Sequence, residues 1–97
     1  MMKASDMKEL TNQYVIKYKE SGINKASDVM DALETVMITR ANDGEDCAVL
    51  YIMRLVTSFE NDIEKEAYVS YIKSTLLNAG YGVVEYNEKE YSLVVRW

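Results

Sequence analysis

Lys3 and Lys8 stand near the start of the chain, Arg54 and Arg96 stand near the ends of two apolar segments, and Tyr51, Tyr86 and Tyr91 could stack on a base beside them. Cations, aromatic rings and phenolic hydroxyls are the parts of a nucleotide pocket. The cations meet phosphate, the rings stack on a base, and the hydroxyls fix orientation. A helix beginning near Lys3 would add free backbone N–H groups that favour an anion, and Lys17 and Lys19 extend the same cluster. The plainer reading of these four lysines is a solvated helix face. Lys3, Lys8, Tyr51, Arg54, Tyr86, Tyr91 and Arg96 form the candidate ligand-binding set. No Gly-rich phosphate loop or Walker motif accompanies them, and no cofactor is expected.

Other chemistry is sparse. The chain has no histidine, so Ser-His-Asp, Cys-His and His-ligated metal arrangements are impossible within it. Cys47 is the single cysteine and starts an apolar run with nothing nearby to activate it, so it reads as a packed side chain. Asp43, Glu45 and Asp46 surround Gly44, but the spacing of a calcium loop is missing and no metal is expected. The run Glu60-Asn61-Asp62-Ile63-Glu64 is a helix start that complements the helix dipole. A DNA-mimicking face would also use acids, but here they are spread along the chain. Met7, Met30, Met37 and Met53 sit at core spacing and read as filler. An enzyme is the class least supported.

Ninety-seven residues make one domain, 1–97. The formal net charge of −5 argues against direct nucleic-acid binding, which needs a basic surface, and suits a basic protein partner. No run of about 18 apolar residues is present, so no membrane association is expected. The opening Met1-Met2-Lys3-Ala4-Ser5-Asp6 lacks the apolar core of a secretory signal. One cysteine fits a reducing compartment, so the expected location is the cytoplasm.

The elements that must position the candidate residues follow from periodicity. Ser5 is a helix cap, with Met7, Leu10, Tyr14 and Tyr18 as an apolar stripe broadened by Val15. Glu20-Ser21-Gly22 predicts a break or kink. A second helix follows over about Ser27–Ala41, capped by Asn24 or Ser27, with Val29, Met30, Leu33, Val36 and Met37 apolar; whether the two helices are one stays open. Asn42-Asp43-Gly44 turns the chain into a strand over Cys47–Arg54. After a link over Leu55–Glu60, Asn61 and Glu64 resemble a capping box for a third helix, with Ile63, Ala67, Val69, Tyr71, Ile72 and Leu76 buried and Gly80 as its stop. Tyr81–Tyr86 and Tyr91–Trp97 form a hairpin around Asn87–Glu90. The expected fold is α+β in the order ααβαββ, with a small three-stranded mixed sheet packed against helices. The first two strands are expected to run parallel through a right-handed crossover, with the third between them.

With this order in place, the chain resembles a group of small phage-encoded proteins of unknown function. The likeness rests on the opening Lys3-Ala4-Ser5-Asp6-Met7-Lys8-Glu9-Leu10-Thr11 and on Tyr71-Ile72-Lys73-Ser74-Thr75-Leu76-Leu77. It continues through Gly80-Tyr81, Val83 and a closing hairpin that ends in Trp97. Ser21-Gly22 departs from the group, whose members tend to stay helical there. The resemblance implies a phage origin and the cytoplasm of a host cell, and it brings no assigned activity. Together with the tyrosines and lysines it leads to a non-enzymatic protein that counteracts host antiviral defence by sequestering a small nucleotide signal between subunits. The alternative is an acidic inhibitor that binds and blocks a host defence or DNA-processing protein. The apolar stretches Cys47–Ile52 and Leu93-Val94-Val95 predict a homo-oligomer, a dimer paired through edge strands.

Overall fold

A computed structural model describes residues 1–56 and 58–97, and for Val83 and Val84 the backbone alone. Helix α1 runs over Ala4–Asn42, strand β1 over Cys47–Tyr51 and a 3-10 turn over Ile52–Arg54. Helix α2 spans Asp62–Asn78, and strands β2 and β3 span Gly82–Asn87 and Ser92–Arg96. The α+β class holds, but the order is αβαββ. No helix is long and apolar enough to cross a membrane among the described residues.

The expected break at Gly22 is absent: α1 is one helix of 39 residues. With no proline in the chain, nothing removes an intrahelical hydrogen bond along it. Gly22 has a different purpose. It is buried where α1 crosses α2, and a Cβ there would meet the Glu64 carbonyl oxygen, the Ala67 Cβ at 2.8 Å and the Tyr68 N at 3.0 Å. The missing side chain lets two backbones approach. Gly22, Ala26, Val29, Leu33 and Met37 then form the buried stripe of α1 at helical spacing. Val36 lies outside it and is exposed. The helix starts after Lys3 with no side-chain cap, so Ser5 is an ordinary helical residue.

Helix α2 keeps half of the expected capping box. Asn61 Oδ1 accepts from the Glu64 N–H at 3.0 Å, but the Glu64 carboxylate accepts from the Glu60 N–H at 3.2 Å and not from Asn61. Its core stripe is Glu64, Tyr68, Ile72 and Leu76. Ile63, Ala67 and Tyr71 are half-buried beside it. Gly80 ends the helix as predicted, at φ +94°, with Tyr81 N–H donating to the Leu76 carbonyl and Gly80 N–H to that of Leu77. That pair of bonds satisfies carbonyls left over at the helix end.

The sheet order is β1-β3-β2, and both neighbouring pairs are antiparallel. β3 does lie between the others, and β1 and β2 therefore point the same way without touching. The mixed sheet is corrected to an antiparallel one, because inserting β3 separates the only two parallel strands. β1 is also shorter than expected, since Ile52–Arg54 turn out of it. Ala48 and Leu50 on β1 register with Val95 and Leu93 on β3, and all four are buried against the helices. Val49 and Tyr51 alternate to the other face and are exposed. The burial of β1 on two faces suggested by its apolarity is thus met on one face only within this chain. Tyr68 crosses the core, and its hydroxyl donates a short hydrogen bond to the Ile52 carbonyl. Burial pushes that hydroxyl up to about 12.

Candidate functional site

One irregularity in the sheet decides whether Tyr86 meets α2. Val83 registers with Val95, but Glu85 registers with Val94, so β2 carries one extra residue at position 84. A bulge of this kind reverses the side-chain alternation downstream. Tyr86 therefore registers with the buried Leu93 on the helix side, and Glu85 turns outward and is exposed. Without the bulge Glu85 would face the core. The side chain of Val83, part of the Gly-Tyr-x-Val motif, lies outside the described residues.

The turn beyond β2 places the second ring. Asn87 Oδ1 accepts from the Lys89 and Glu90 N–H groups at 3.0 and 3.3 Å, closing the turn locally. Tyr91 follows at φ +51°, a left-handed conformation that L side chains resist by roughly 1–2 kcal/mol. Such a conformation persists only where the surrounding structure holds it.

Tyr86 and Tyr91 line an open cleft of about 580 Å³ between α2 and the hairpin. Lys65 and Lys73 enter it from α2, and Lys89 from the turn. The Lys65 ammonium sits 4.5 Å from the Tyr91 ring centre, and that of Lys73 5.8 Å from the Tyr86 ring centre. Each cation is held by the face of a ring. Burial pushes the Tyr86 hydroxyl up, Lys65 pulls it back, and Glu88 and Tyr91 push it further up. Asp62, Glu66 and Glu88 also stand in the lining, so the three lysines face three carboxylates.

Two of the seven sequence-predicted residues, Tyr86 and Tyr91, come together here, and Lys3, Lys8, Tyr51, Arg54 and Arg96 line no part of this cleft. Lys3 and Lys8 lie on the exposed start of α1. Arg54 stacks 4.0 Å over Tyr51, with Tyr51 on the open face of the sheet. Arg96 registers with Cys47 and Gly82 at the far end of the strands from Tyr91. The set is divided for three reasons: Arg96 lies a strand length from Tyr91, Tyr51 and Arg54 stand at the Tyr91 end with Tyr51 on the open face of the sheet, and Lys3 and Lys8 sit on the exposed start of α1. Lys65 and Lys73 were missed. They stand at i and i+8 on α2, one helical face, and that spacing was the available signal.

The acids do not gather on one surface. Asp43, Glu45 and Asp46 lead into β1 where it meets Arg96, whereas Glu88 and Glu90 sit in the hairpin turn at the other end of the sheet. Cys47 is half-buried and free. Among the methionines, Met37 is buried, Met30 and Met53 pack at the core edge, and Met7 is exposed, contrary to its expected core role.

No family model, no curated protein and no solved structure matches this chain.

Proposed function

We propose that this chain is a non-enzymatic binding protein that captures a small nucleotide in the cleft between α2 and the β2–β3 hairpin. The observation that supports it is the interleaving of Lys65 and Lys73 with Tyr91 and Tyr86 in one cleft. A base stacking on an aromatic ring gains about 1–3 kcal/mol. Lysines resting on those rings are placed to swing onto a phosphate while the base takes over the ring face. The three carboxylates in the lining oppose a highly charged polyphosphate, so a ligand with one or two phosphate charges, such as a cyclic nucleotide or a monophosphate, suits the site. The resemblance to small phage-encoded proteins supplies the setting: sequestration of a nucleotide signal used by host antiviral defence, in the host cytoplasm.

Thermal unfolding with a panel of cyclic and linear mono- and dinucleotides tests this reading. A ligand at about 100 times its Kd stabilises the native state by roughly 2.7 kcal/mol. For a domain of this size that raises Tm by roughly 10–20 °C. The double variant Lys65→Gln/Lys73→Gln is expected to lose most of the shift and to unfold at nearly the wild-type temperature without ligand. Tyr91→Gly relieves the left-handed backbone and removes the ring, so it should gain stability and lose affinity together. A wild-type protein whose Tm no nucleotide in the panel moves at millimolar concentration would leave the acidic-inhibitor reading in its place.

A further inference from the structure

The first ten residues of α1, Ala4–Gln13, are all exposed, and the molecule measures 64 Å along its longest axis against 26 and 22 Å across. The start of α1 projects from the body. Its apolar stripe goes with it: Met7, Leu10 and Tyr14 are each about half exposed, at 53%, 52% and 51%. These positions repeat every three and four residues, the spacing of a coiled-coil seam. Tyr14 is ordered on the seam, with its ring 4.8 Å from that of Tyr18 and its hydroxyl accepting from Asn61 Nδ2 at 3.2 Å. Helical turns without a packing partner are marginal in water.

We infer that a second copy of this chain covers the stripe, with the two projecting helices packed antiparallel. Charge selects both the partner and its direction. Residues 3–20 carry four lysines and three carboxylates, while the rest of the chain carries seven basic and thirteen acidic residues. A parallel pair would bring the two acidic bodies side by side and set Lys17 against the partner copy of the same lysine. An antiparallel pair places the bodies at opposite ends. With Leu10 of one copy facing Tyr14 of the other, Lys3 comes level with Ser21 of the other copy. Ser21 is bonded to Glu64, so Lys3 and the positive start of its helix arrive beside the exposed Glu60 and Asp62 that open α2. This pairing meets the nucleotide cleft only at Asp62, which stands in the cleft's lining, and the dimer test needs no nucleotide.

Analytical ultracentrifugation across roughly 1–500 μM tests the dimer. The wild type is expected to shift from the 11.1 kDa monomer to twice that mass. Leu10→Asp should stay monomeric and melt close to the dilute, monomeric wild type, because Leu10 is 52% exposed within its own chain. Lys3→Glu should weaken the dimer several-fold at low salt and less at high salt. Spin labels at position 3 should lie about 27 Å apart in the antiparallel pair, given 1.5 Å of rise per residue. A monomer throughout the range, a dimer that Leu10→Asp leaves intact, or labels about 10 Å apart as in a parallel pair would each overturn the proposal. The second outcome would move the contact to the sheet edges.

Discussion

Gly22→Ala is expected to destabilise the protein by about 3 kcal/mol, although alanine is the better helix former. On helix propensity alone the change should stabilise by about 1 kcal/mol. The contact opposes it. The new methyl would press on the Glu64 carbonyl and lie 3.0 Å from the Tyr68 N and 2.8 Å from the Ala67 Cβ. Two of these three neighbours are main-chain atoms inside α2 and cannot rotate aside. Overpacking at sites able to give way costs about 1–3 kcal/mol, so a rigid backbone puts this site at the upper end. For a domain of this size the loss corresponds to a fall in Tm of roughly 12–24 °C. Circular dichroism melting reads it directly, and the sign alone is informative. A variant that melts at or above the wild-type temperature would mean that α1 and α2 do not approach at Gly22. Gly22→Leu should separate the helices altogether, since Ala26 one turn on is buried with no exposed surface and leaves no slack to absorb the shift.

This glycine also shows which parts of the structure could be read from the sequence. Signals that act within a few residues were legible. Asn61 caps α2, Gly80 stops it in the left-handed conformation, and the polar turn after Asn87 closes the hairpin. β3 lies between β1 and β2 as expected, although no residue signal dictated that order. Gly22 gave a local signal, a helix breaker, but its conformation is decided by Glu64, Ala67 and Tyr68, which are remote in sequence. Helix α2 was ambiguous for a related reason. It carries apolar residues on more than one side, so the expected stripe joined Ile63, Ala67 and Tyr71 to Ile72 and Leu76 and passed over Tyr68. The buried hydroxyl of Tyr68 selects the face by reaching the Ile52 carbonyl. In the candidate site, the tyrosines were legible as types. The pairing of Tyr86 with Lys73 depends on the bulge at position 84, which no turn residue announces in the run Val83-Val84-Glu85, and that of Tyr91 with Lys65 depends on the turn that precedes it.

Glu64→Gln is expected to weaken the protein at pH 7 and to lose that deficit in acid. Glu64 is a carboxylate in the core, 1% exposed, at the point where the start of α2 meets α1. Lys25 Nζ donates to it at 2.5 Å, Ser21 Oγ at 2.7 Å and the Glu60 N–H at 3.2 Å. Lys25 also donates to the Ser58 carbonyl at 3.2 Å, so one ammonium ties the link before α2 to both helices. Burial pushes the Glu64 carboxyl up, but the hydrogen bonds from Lys25, Ser21 and Glu60, with the charge of Lys25, outweigh it and hold the carboxyl below its ordinary 4.5. A carboxylate whose folded value is depressed contributes stability that is complete above its unfolded value and fades as pH falls through the folded value. Urea unfolding should therefore show wild type above Glu64→Gln at pH 7, with the gap closing as pH falls below 4.5 and through the depressed folded value. Lys25→Met makes the complementary case, because it leaves a buried charge without its cation. Loss of one partner of a buried pair removes about 3–5 kcal/mol. The Lys25 side chain is 34% exposed, so water screens the pair and about 2 kcal/mol is the expected loss at pH 7. In that variant burial faces less opposition and the Glu64 carboxyl moves up. Its deficit should shrink on acidification as the unpaired acid takes a proton. A gap between wild type and Glu64→Gln that stays constant from pH 7 to pH 3 would show that Glu64 is held by its hydrogen bonds irrespective of charge.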